Sequence, residues 1–325
     1  GFENIVSTLP KMPTTEGQLS ENGYKRRKIK TLLHGMGMTE VVTYSLVSPR
    51  HISEAVMPAD GCIELSNPIS DERRYYRNSL TPSMLDTIAY NQAHSNENYG
   101  LYEIANVYDK NGNQQERLSL AISNTIVQSK WQKMTMAGDF YVMKGRITAV
   151  LEQLGFDEKR VSFKVNTTDT ETFHPGQSAE VYLGKDLIGI FGRIHPKKEK
   201  QYDIEPCVIG ELNLNLVYDA KPSKIKFVPI CKFPSVSYDL AVVVKEDVMV
   251  GDLLACVRKA GGKLMKDVEV FDIYRGKGIE EGHKSIAISM TYQSEEKTLT
   301  DNDLAPCQKK VMDSLVKDFN AQLRG

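Results

Sequence analysis

Residues 285–292 read Ser-Ile-Ala-Ile-Ser-Met-Thr-Tyr, and this stretch decides the fold class of the region around it. Large apolar side chains alternate with small or polar ones, so a β-strand is predicted with one buried face and one open face. Ser285 lies on the open face of that strand. A half-buried strand of this kind is typical of antiparallel sheets that expose one side to water.

Strand and helix patterns extend in both directions from residues 285–292. Thr300-Asp301-Asn302-Asp303 resembles a capping box, which predicts that a long helix begins there. The order β-α-β-β-α-β is typical of a ferredoxin-like sandwich, which we predict for residues 221–325. The predicted elements are strands at 237–245, 268–274 and 284–293, helices at 250–260 and from 300 onward, and a short last strand near 322–324.

Residues 17–220 combine many strands with a few helices. A helix is predicted to start near Ser20, and Asn111-Gly112 predicts a hairpin turn between two strands. This mixture indicates an α+β fold with antiparallel strands and not a doubly wound parallel sheet. Residues 1–16 are predicted to be a linker, and a domain boundary is expected near 220–226. The other predicted elements are helices at 81–91 and 140–154, strands at 99–108, 117–123 and 206–212, and two short strands within 180–194.

The chain has 325 residues and a formal net charge of −1, so no global basic field attracts nucleic acid and any RNA contact is expected to be local. The five cysteines are scattered without a C-x-x-C pair, which favours reduced cytosolic thiols over a zinc site or disulfides. No apolar run reaches about 20 residues, so no transmembrane helix and no membrane partner are predicted. The chain starts without a methionine or a signal peptide, which is typical of the middle of a longer cytoplasmic protein.

The histidines give no candidate catalytic or metal site. His174 and His195 lack both an accompanying nucleophile motif and metal-ligand spacing, and we predict that His174-Pro175-Gly176 forms a turn. Gly276-Lys277-Gly278 lacks the spacing of a phosphate-binding loop. We therefore predict no catalytic residue and no metal ligand. The basic run at 25–28 is interpreted as a solvated helix face, with a contact to nucleic acid or to a partner as the alternative.

Three residues at the ends of neighbouring strands are the strongest functional candidates. Strand alternation places Asp272 and Tyr274 on one face, with Phe271 and Ile273 on the other, and Ser285 is expected on the same face as Tyr274. An aromatic ring stacks on an unpaired RNA base, and small polar groups read the edge of that base. A carboxylate repels phosphate, so Asp272 favours a contact with a base. Half-buried packing of a tyrosine at a strand end is the alternative interpretation.

Several motifs along the chain resemble one known family. Residues 35–45 (Gly-Met-Gly-Met-Thr-Glu-Val-Val-Thr-Tyr-Ser), 77–82 (Arg-Asn-Ser-Leu-Thr-Pro) and 173–179 (Phe-His-Pro-Gly-Gln-Ser-Ala) resemble the catalytic-like domain of bacterial phenylalanyl-tRNA synthetase β subunits. Residues 233–240 and 272–276 resemble the ferredoxin-fold anticodon-binding domain of the same family. The resemblance implies an inactive class II synthetase-like antiparallel sheet with flanking helices, followed by an anticodon-binding domain.

The resemblance also implies a function within an assembly. Members of the family support ATP-dependent attachment of phenylalanine to tRNA(Phe) as the β subunit of an α2β2 heterotetramer, whose holoenzyme uses Mg-ATP. Residues 102–109 lack the arginine with which a class II site holds the α-phosphate, and the third motif with its arginine is absent. The chain is therefore expected to be inactive alone, to need no cofactor of its own, and to scaffold the catalytic α subunits. The editing and magnesium sites of the family are expected N-terminal to these residues.

Three residues match family positions that contact the first anticodon base. By this resemblance Tyr274 stacks on that base, and Asp272 and Ser285 hydrogen-bond to it. Tyr238 departs from the family pattern, in which an arginine usually precedes Asp239-Leu240, and this puts a local salt bridge or an RNA contact in doubt.

Two alternative functions fit parts of the sequence. An active synthetase or another ATP-dependent ligase conflicts with the missing phosphate-binding arginines. An amino-acid-binding regulatory module also uses ferredoxin-like domains. Such a module needs a glycine-rich loop after its first strand, where residues 246–249 read Glu-Asp-Val-Met.

Overall fold

The computed structural model describes residues 1–14 and 16–323, and the chain divides into two compact units, Gly1–Lys224 and Ile225–Gly325. Thr15 and Arg324, which fall in the predicted linker and the predicted last strand, lie outside the described residues. Each unit has its own hydrophobic core. Within the described part of the chain, no helix has both the length and the apolar character needed to cross a membrane.

A large sheet forms the centre of the first unit. The strands described in this unit are β1 (Thr39–Glu40), β2 (Leu46–Val47), β3 (Tyr75–Tyr76), β4 (Gly100–Tyr108), β5 (Gln114–Ser123), β6 (Thr125–Ser129), β7 (Met134–Ala137), β8 (Val161–Val165), β9 (Phe173–Leu183), β10 (Asp186–Ile194) and β11 (Cys207–Asn213). The large sheet has the order β1-β4-β5-β11-β10-β9-β8, whereas β2 pairs with β3 and β6 pairs with β7.

The large sheet is antiparallel except at its first edge, where β1 pairs parallel with β4. The prediction of antiparallel strands is therefore correct for the body of the sheet and wrong at this edge. Parallel neighbours require a long crossover connection. The connection between β1 and β4 is of this kind, because it contains the helix Thr81–Ala93.

Helices cover both faces of the large sheet. They are α1 (Glu21–Gly35), α2 (Pro49–Ser53), α3 (Thr81–Ala93), α4 (Phe140–Gln153), α5 (Pro196–Tyr202) and α6 (Leu214–Asp219). Leu33 of α1 and Ile147 of α4 join one core cluster with Tyr102 of β4. Ile88 of α3 joins a second cluster with Leu101, the residue of β4 that precedes Tyr102. Neighbouring residues of a strand point to opposite faces, so both faces are buried. The predicted α+β class is confirmed.

A buried carboxylate fixes the start of α3. The N-cap of this helix is Leu80, whose side chain cannot accept from the first backbone N–H groups. Glu211 of β11 takes that role, since its Oε2 accepts from the backbone N of Leu80 at 3.0 Å and of Thr81 at 2.9 Å. The hydroxyls of Ser79 and Thr81 donate to the same oxygen, and Arg117 of β5 donates to Oε1 at 3.1 Å. The helix and the sheet are thereby joined inside the core.

The turn predicted at 174–176 is instead a bulge within β9, so that prediction is wrong. Phe173 pairs with Ile194, but the next paired residue of β9 is Ser178. The intervening residues leave the ladder of the strand, and the hydroxyl of Ser178 donates to the carbonyl oxygen of His174 at 2.9 Å.

The second unit is a four-stranded sheet with two helices. Its elements are β12 (Val236–Lys245), α7 (Val250–Gly261), β13 (Met265–Tyr274), β14 (His283–Tyr292), α8 (Asp301–Phe319) and β15 (Gln322–Leu323). The sheet is antiparallel, with the order β13-β14-β12-β15. The predicted capping box is confirmed at the start of α8, where Thr300 and Asp303 each accept from the other's backbone.

One face of this second sheet is buried and the other is open. Ile286 and Ile288 of β14 belong to a core cluster that also contains Leu253 of α7 and Val311 of α8. The small and polar residues that alternate with them, beginning at Ser285, lie on the opposite face. The strand predicted from residues 285–292 is confirmed. The open face is where the candidate residues meet.

Candidate nucleic-acid interface

Strand register brings the three predicted residues to the open face of the second sheet. Tyr274, the last residue of β13, pairs directly with Ser285 of β14. Asp272 pairs with Ala287, which shares a face with Ser285 because the two lie two residues apart on one strand. The three side chains therefore lie on the same side of two neighbouring strands.

A bulge in β13 sets which residues share this face. Val270 pairs with Ile288 on the buried side, and the next paired residue of β13 is Asp272. Phe271 is the extra residue, and its side chain is 57% exposed. Strict alternation, which places Phe271 on the face opposite Asp272, does not hold across a bulge, and Phe271 is not buried. Phe271 is a second exposed aromatic ring beside Asp272, and no signal in the sequence indicated it.

The three candidate residues differ in accessibility. Asp272 is exposed and Tyr274 is half-buried, whereas Ser285 is only 2% exposed. Ser285 lies between Tyr274 on one neighbouring strand and Val243 on the other, which accounts for its burial. An incoming base would meet the tyrosine ring and the carboxylate first, with Ser285 forming the floor beneath them.

The turn after β13 requires a glycine next to the tyrosine. Gly276 has a φ of 148°, in the region that L side chains rarely adopt. A Cβ atom at this position would lie 3.0 Å from the hydroxyl oxygen of Tyr274. The same hydroxyl donates to the carbonyl oxygen of Lys277 at 3.3 Å. The turn and the ring therefore position each other.

Glu246 ties the loop after β12 to the two central strands of the site. Arg275 forms an ion pair with its carboxylate at 2.7 Å, and the ammonium of Lys284 donates to its backbone carbonyl at 2.8 Å. The hydrogen bonds from Arg275 lower the pKa of Glu246. The carboxylate of Glu246 consequently stays charged. Its contacts with Arg275 and Lys284 stabilise the end of the sheet that carries Tyr274.

Carboxylates are concentrated at the other end of the open face. Glu269 of β13 and Asp239 of β12 both pair with the same residue of β14, Ser289. Asp267 lies two residues further along β13, and all three acids are exposed. Lys245 lies at the opposite end of the face, beyond the tyrosine. Three carboxylates therefore lie away from Tyr274, whereas Asp272 and Lys245 lie closer to it.

Two arginines of the first unit are neutralised inside its core. Arg77 pairs with Glu103 at 3.1 Å, with only 5% and 2% of the two side chains exposed. Arg117 pairs with Glu211 at 3.1 Å, with 4% and 0% exposed. The paired residues are 26 and 94 positions apart, so sequence spacing gave no signal for either pair. Both guanidinium groups neutralise buried carboxylates, so neither is available to bind a phosphate.

An open cleft of about 780 Å³ lies in the first unit between the end of α3 and α5. Its charged lining consists of Glu97, Glu199, Asp203 and Glu205, with Lys200 as the single cation among the lining residues. Phosphate groups are bound by cations and backbone N–H groups, so this acidic cleft is unsuited to ATP.

Neither His195 nor Cys207 is placed as a reactive group. His195 is the N-cap of α5 and accepts from the backbone N of Lys197 at 3.1 Å. Burial raises the pKa of the Cys207 thiol to about 12, so it stays protonated and unreactive. In the described ranges, no group of three His, Cys, Asp or Glu side chains is arranged to hold a metal ion.

Comparisons with known proteins cover both units. A family model described as "Phenylalanyl tRNA synthetase beta chain CLM domain" matches residues 5–214, and one described as "Ferredoxin-fold anticodon binding domain" matches residues 231–324. Over its whole length the chain is 34% identical to the phenylalanine–tRNA ligase beta subunit of Bacillus subtilis and 36% identical to that of Geobacillus kaustophilus. In both cases it spans 41% of the relative. A pyrrolysyl-tRNA synthetase structure from Desulfitobacterium hafniense, at 15% identity, aligns with 60% of this chain and 64% of that one, with a TM-score of 0.47.

Proposed function

The chain belongs to the family of phenylalanyl-tRNA synthetase β chains, and we propose that it supports the charging of tRNA(Phe) by binding the anticodon and scaffolding the catalytic subunits. It spans about two fifths of the length of its curated relatives, 41% in each case. The activity, substrates and partners of the whole assembly are therefore part of the proposal.

We propose the following division of labour within the chain. Residues 1–16 are a linker, and residues 17–220 form an inactive class II synthetase-like domain that packs against α subunits in a cytoplasmic α2β2 heterotetramer. Residues 221–325 form a ferredoxin-like anticodon-binding domain. Chain order β-α-β-β-α-β together with the sheet order β13-β14-β12-β15 supports the ferredoxin-like assignment.

One observation carries the proposal of anticodon binding. The region that matches the anticodon-binding family model presents Tyr274 and Asp272 side by side on an open sheet face. A face of this kind suits an unpaired base, because the ring can stack on the base while polar groups reach its edge. Tyr274 is proposed to stack on the first anticodon base, with Asp272 and Ser285 hydrogen-bonding to it.

The chemistry of Asp272 favours guanine as the base that is read. An ionised carboxylate only accepts hydrogen bonds, and it can take two in parallel from neighbouring N–H donors. The Watson–Crick edge of guanine presents such donors at N1 and N2. Adenine and the pyrimidines lack this adjacent pair. The same charge repels phosphate, which keeps the RNA backbone away from the carboxylate.

The first unit is proposed to carry out no adenylation. Arg77 and Arg117 are held in buried ion pairs, and the cleft beside α3 is acidic. In the proposed assembly Mg-ATP is bound by the catalytic α subunits, and this chain needs no cofactor. Phenylalanine-dependent exchange of pyrophosphate into ATP by the chain alone would contradict this part of the proposal.

The test of anticodon binding is the affinity of the chain for the anticodon stem-loop of tRNA(Phe). Stacking contributes about 1–3 kcal/mol per base, so Tyr274→Ala is expected to weaken binding by about five- to 150-fold. Tyr274→Phe is the matched control, since it keeps the ring, and it is expected to retain most of the affinity. A stem-loop with adenine in place of guanine at the first anticodon position is expected to lose affinity for the wild type and less for Asp272→Asn.

Equal affinities of wild type and Tyr274→Ala for the stem-loop would refute the assignment of the tyrosine. A circular dichroism melt of each variant establishes that the second unit remains folded. Failure of the wild type to prefer the stem-loop of tRNA(Phe) over an unrelated stem-loop would refute anticodon binding by this chain altogether.

A further inference from the structure

A small hairpin projects from the first unit with an apolar face that nothing in the described chain covers. Val127 of β6 pairs with Met136 of β7, and Ser129 pairs with Met134, so these side chains share one face. The other face carries polar side chains such as Gln128. Val127, Met134 and Met136 are 37%, 48% and 46% exposed, and Trp131 at the tip is 84% exposed.

This exposure is unfavourable for an isolated hairpin. Two strands alone are marginally stable in water and need a further layer against their apolar face. Exposed apolar side chains that are contiguous, in contrast to scattered ones, mark interaction surfaces. We name Val127, Met134 and Met136, together with Trp131 at the tip of the hairpin, the hairpin face, and their exposure marks it as an interaction surface.

The base of the hairpin is fixed, so the face is presented in a defined position. Ile126 packs against the core cluster that contains α1 and α4. The backbone N of Gly138 donates to the carbonyl oxygen of Asn124 at 2.9 Å, which closes the two strands at their root. At the tip, the backbone N of Lys133 donates to the carbonyl oxygen of Lys130 at 3.3 Å. The tip of the hairpin and its apolar face are therefore the parts that a partner could bind.

The chemistry of the hairpin face specifies what covers it. Residues 125–137 contain Lys130 and Lys133 and no acidic residue. Tryptophan and methionine are enriched at the buried centres of protein interfaces, and tryptophan is a frequent hot spot there. An RNA partner would use the lysines and the ring but would leave Val127 and both methionines in water. The complement is therefore a protein groove that is apolar at its centre and acidic at its rim.

The geometry points to the hairpin face as an anchor that inserts into such a groove on the catalytic α subunit of the phenylalanine–tRNA ligase. This inference rests on the proposed function, since it names the element through which the chain holds its partner. Trp131 fills the groove, the methionines line its wall, and Lys130 and Lys133 meet carboxylates at the rim.

Trp131 is the only tryptophan of the chain, so it can report on its own burial. The 325-residue chain is labelled with 5-fluorotryptophan and gives one ¹⁹F resonance. The purified α subunit from the same genome is then added without label. The resonance is expected to shift and broaden on addition of the α subunit, and to remain unchanged on addition of tRNA(Phe) alone.

Affinity measurements by analytical ultracentrifugation identify the residues responsible. Trp131→Ala is expected to weaken association with the α subunit by about tenfold or more. Met134→Ser combined with Met136→Ser, and Lys130→Glu combined with Lys133→Glu, are expected to weaken it as well. Gln128→Ala combined with Thr135→Ala alters the polar face of the same hairpin and is the matched control, with an unchanged affinity expected. Unaltered thermal unfolding of the free variants excludes a folding defect.

The outcomes separate this inference from the proposed function. Suppose that wild type and Trp131→Ala bind the α subunit with equal affinity and that the ¹⁹F resonance of the wild type does not move. This result overturns the anchor but leaves the scaffolding role intact. A resonance that moves with tRNA(Phe) or with protein concentration alone overturns the anchor in favour of an RNA contact or self-association. Absence of any complex between wild type and the α subunit overturns both.

Discussion

The buried carboxylate of Glu211 predicts a large loss of stability when its charge is removed. Glu211 is 0% exposed and accepts from Arg117 and from the backbone of Leu80 and Thr81. Glu211→Gln keeps the volume of the side chain, so no cavity forms and the charge is the main change. Breaking one partner of a buried ion pair costs about 3–5 kcal/mol, because the remaining guanidinium stays buried without its counter-charge.

This magnitude translates into a measurable shift of the melting temperature. For a unit of about 220 residues, each kcal/mol shifts Tm by about 2–4 °C, so Glu211→Gln is expected to lower the Tm of the first unit by about 6–20 °C. Differential scanning calorimetry measures this shift. Hydrogen exchange supplies a local readout, since the amides of Leu80 and Thr81 at the start of α3 are expected to exchange faster. The exposed Glu152 on α4 provides a matched control, and Glu152→Gln is expected to change stability by no more than about 0.5 kcal/mol.

A Tm within about 2 °C of the wild type, together with unchanged exchange at Leu80 and Thr81, would refute this reasoning. It would mean that the neutral amide of glutamine stabilises the first turn of α3 as well as the carboxylate of Glu211 does. Arg117→Met gives a further comparison. It removes the charge partner but leaves Glu211 its donors from α3, so it is expected to lower the Tm by less than Glu211→Gln does.

Two further predictions concern charge on the open face and acid stability. Asp267→Asn combined with Glu269→Gln is expected to tighten binding of the anticodon stem-loop about two- to threefold at low salt. The Kd is measured between about 50 and 200 mM salt, and it is expected to depend more steeply on salt in the double variant than in the wild type. Equal Kd values for the two proteins at every salt concentration would count against this prediction. Burial alone would raise the pKa of Glu180, but hydrogen bonds from Thr167, Thr168 and Tyr182 outweigh it and hold that pKa at about 2, below the ordinary value of 4.5. The ionised Glu180 therefore stabilises the fold above about pH 4.5, and this contribution is lost as the pH falls towards 2. The free energies of unfolding in urea of the wild type and Glu180→Gln are expected to converge as the pH falls over that range. A difference between the two proteins that stays constant with pH would contradict the prediction.

The second unit was predictable because its signals are local. Alternation over residues 285–292 fixed the buried and open faces of β14, and Thr300 with Asp303 marked the start of α8 within one turn of helix. Both signals act between residues that are close in the sequence. The two bulges of β13 carry no such signal, since they depend on how that strand fits its neighbour. For that reason strict alternation could not predict that Phe271 is exposed.

The features missed in the first unit depend on contacts between distant residues. Glu211 caps a helix that begins 130 positions earlier in the chain, and Arg77 finds its partner in a strand. Neither carboxylate differs from a surface residue when only its neighbours in sequence are considered. The β6–β7 hairpin was missed for another reason. Its turn uses Lys133 with a φ of 51° where glycine or asparagine would have given a recognisable signal.

The charge distribution of the open face bears on how the proposed anticodon site achieves selectivity. Attraction between cations and phosphate is independent of sequence, whereas contacts to base edges carry the sequence information. Asp239, Glu269 and Asp272 are all exposed on this face, so they reduce the affinity for any RNA whose backbone lies across it. In the proposed site, what remains is stacking on Tyr274, which any base can make, and hydrogen bonds to one base edge, which depend on the base presented. If this face binds the anticodon as we propose, its carboxylates favour selectivity over affinity there.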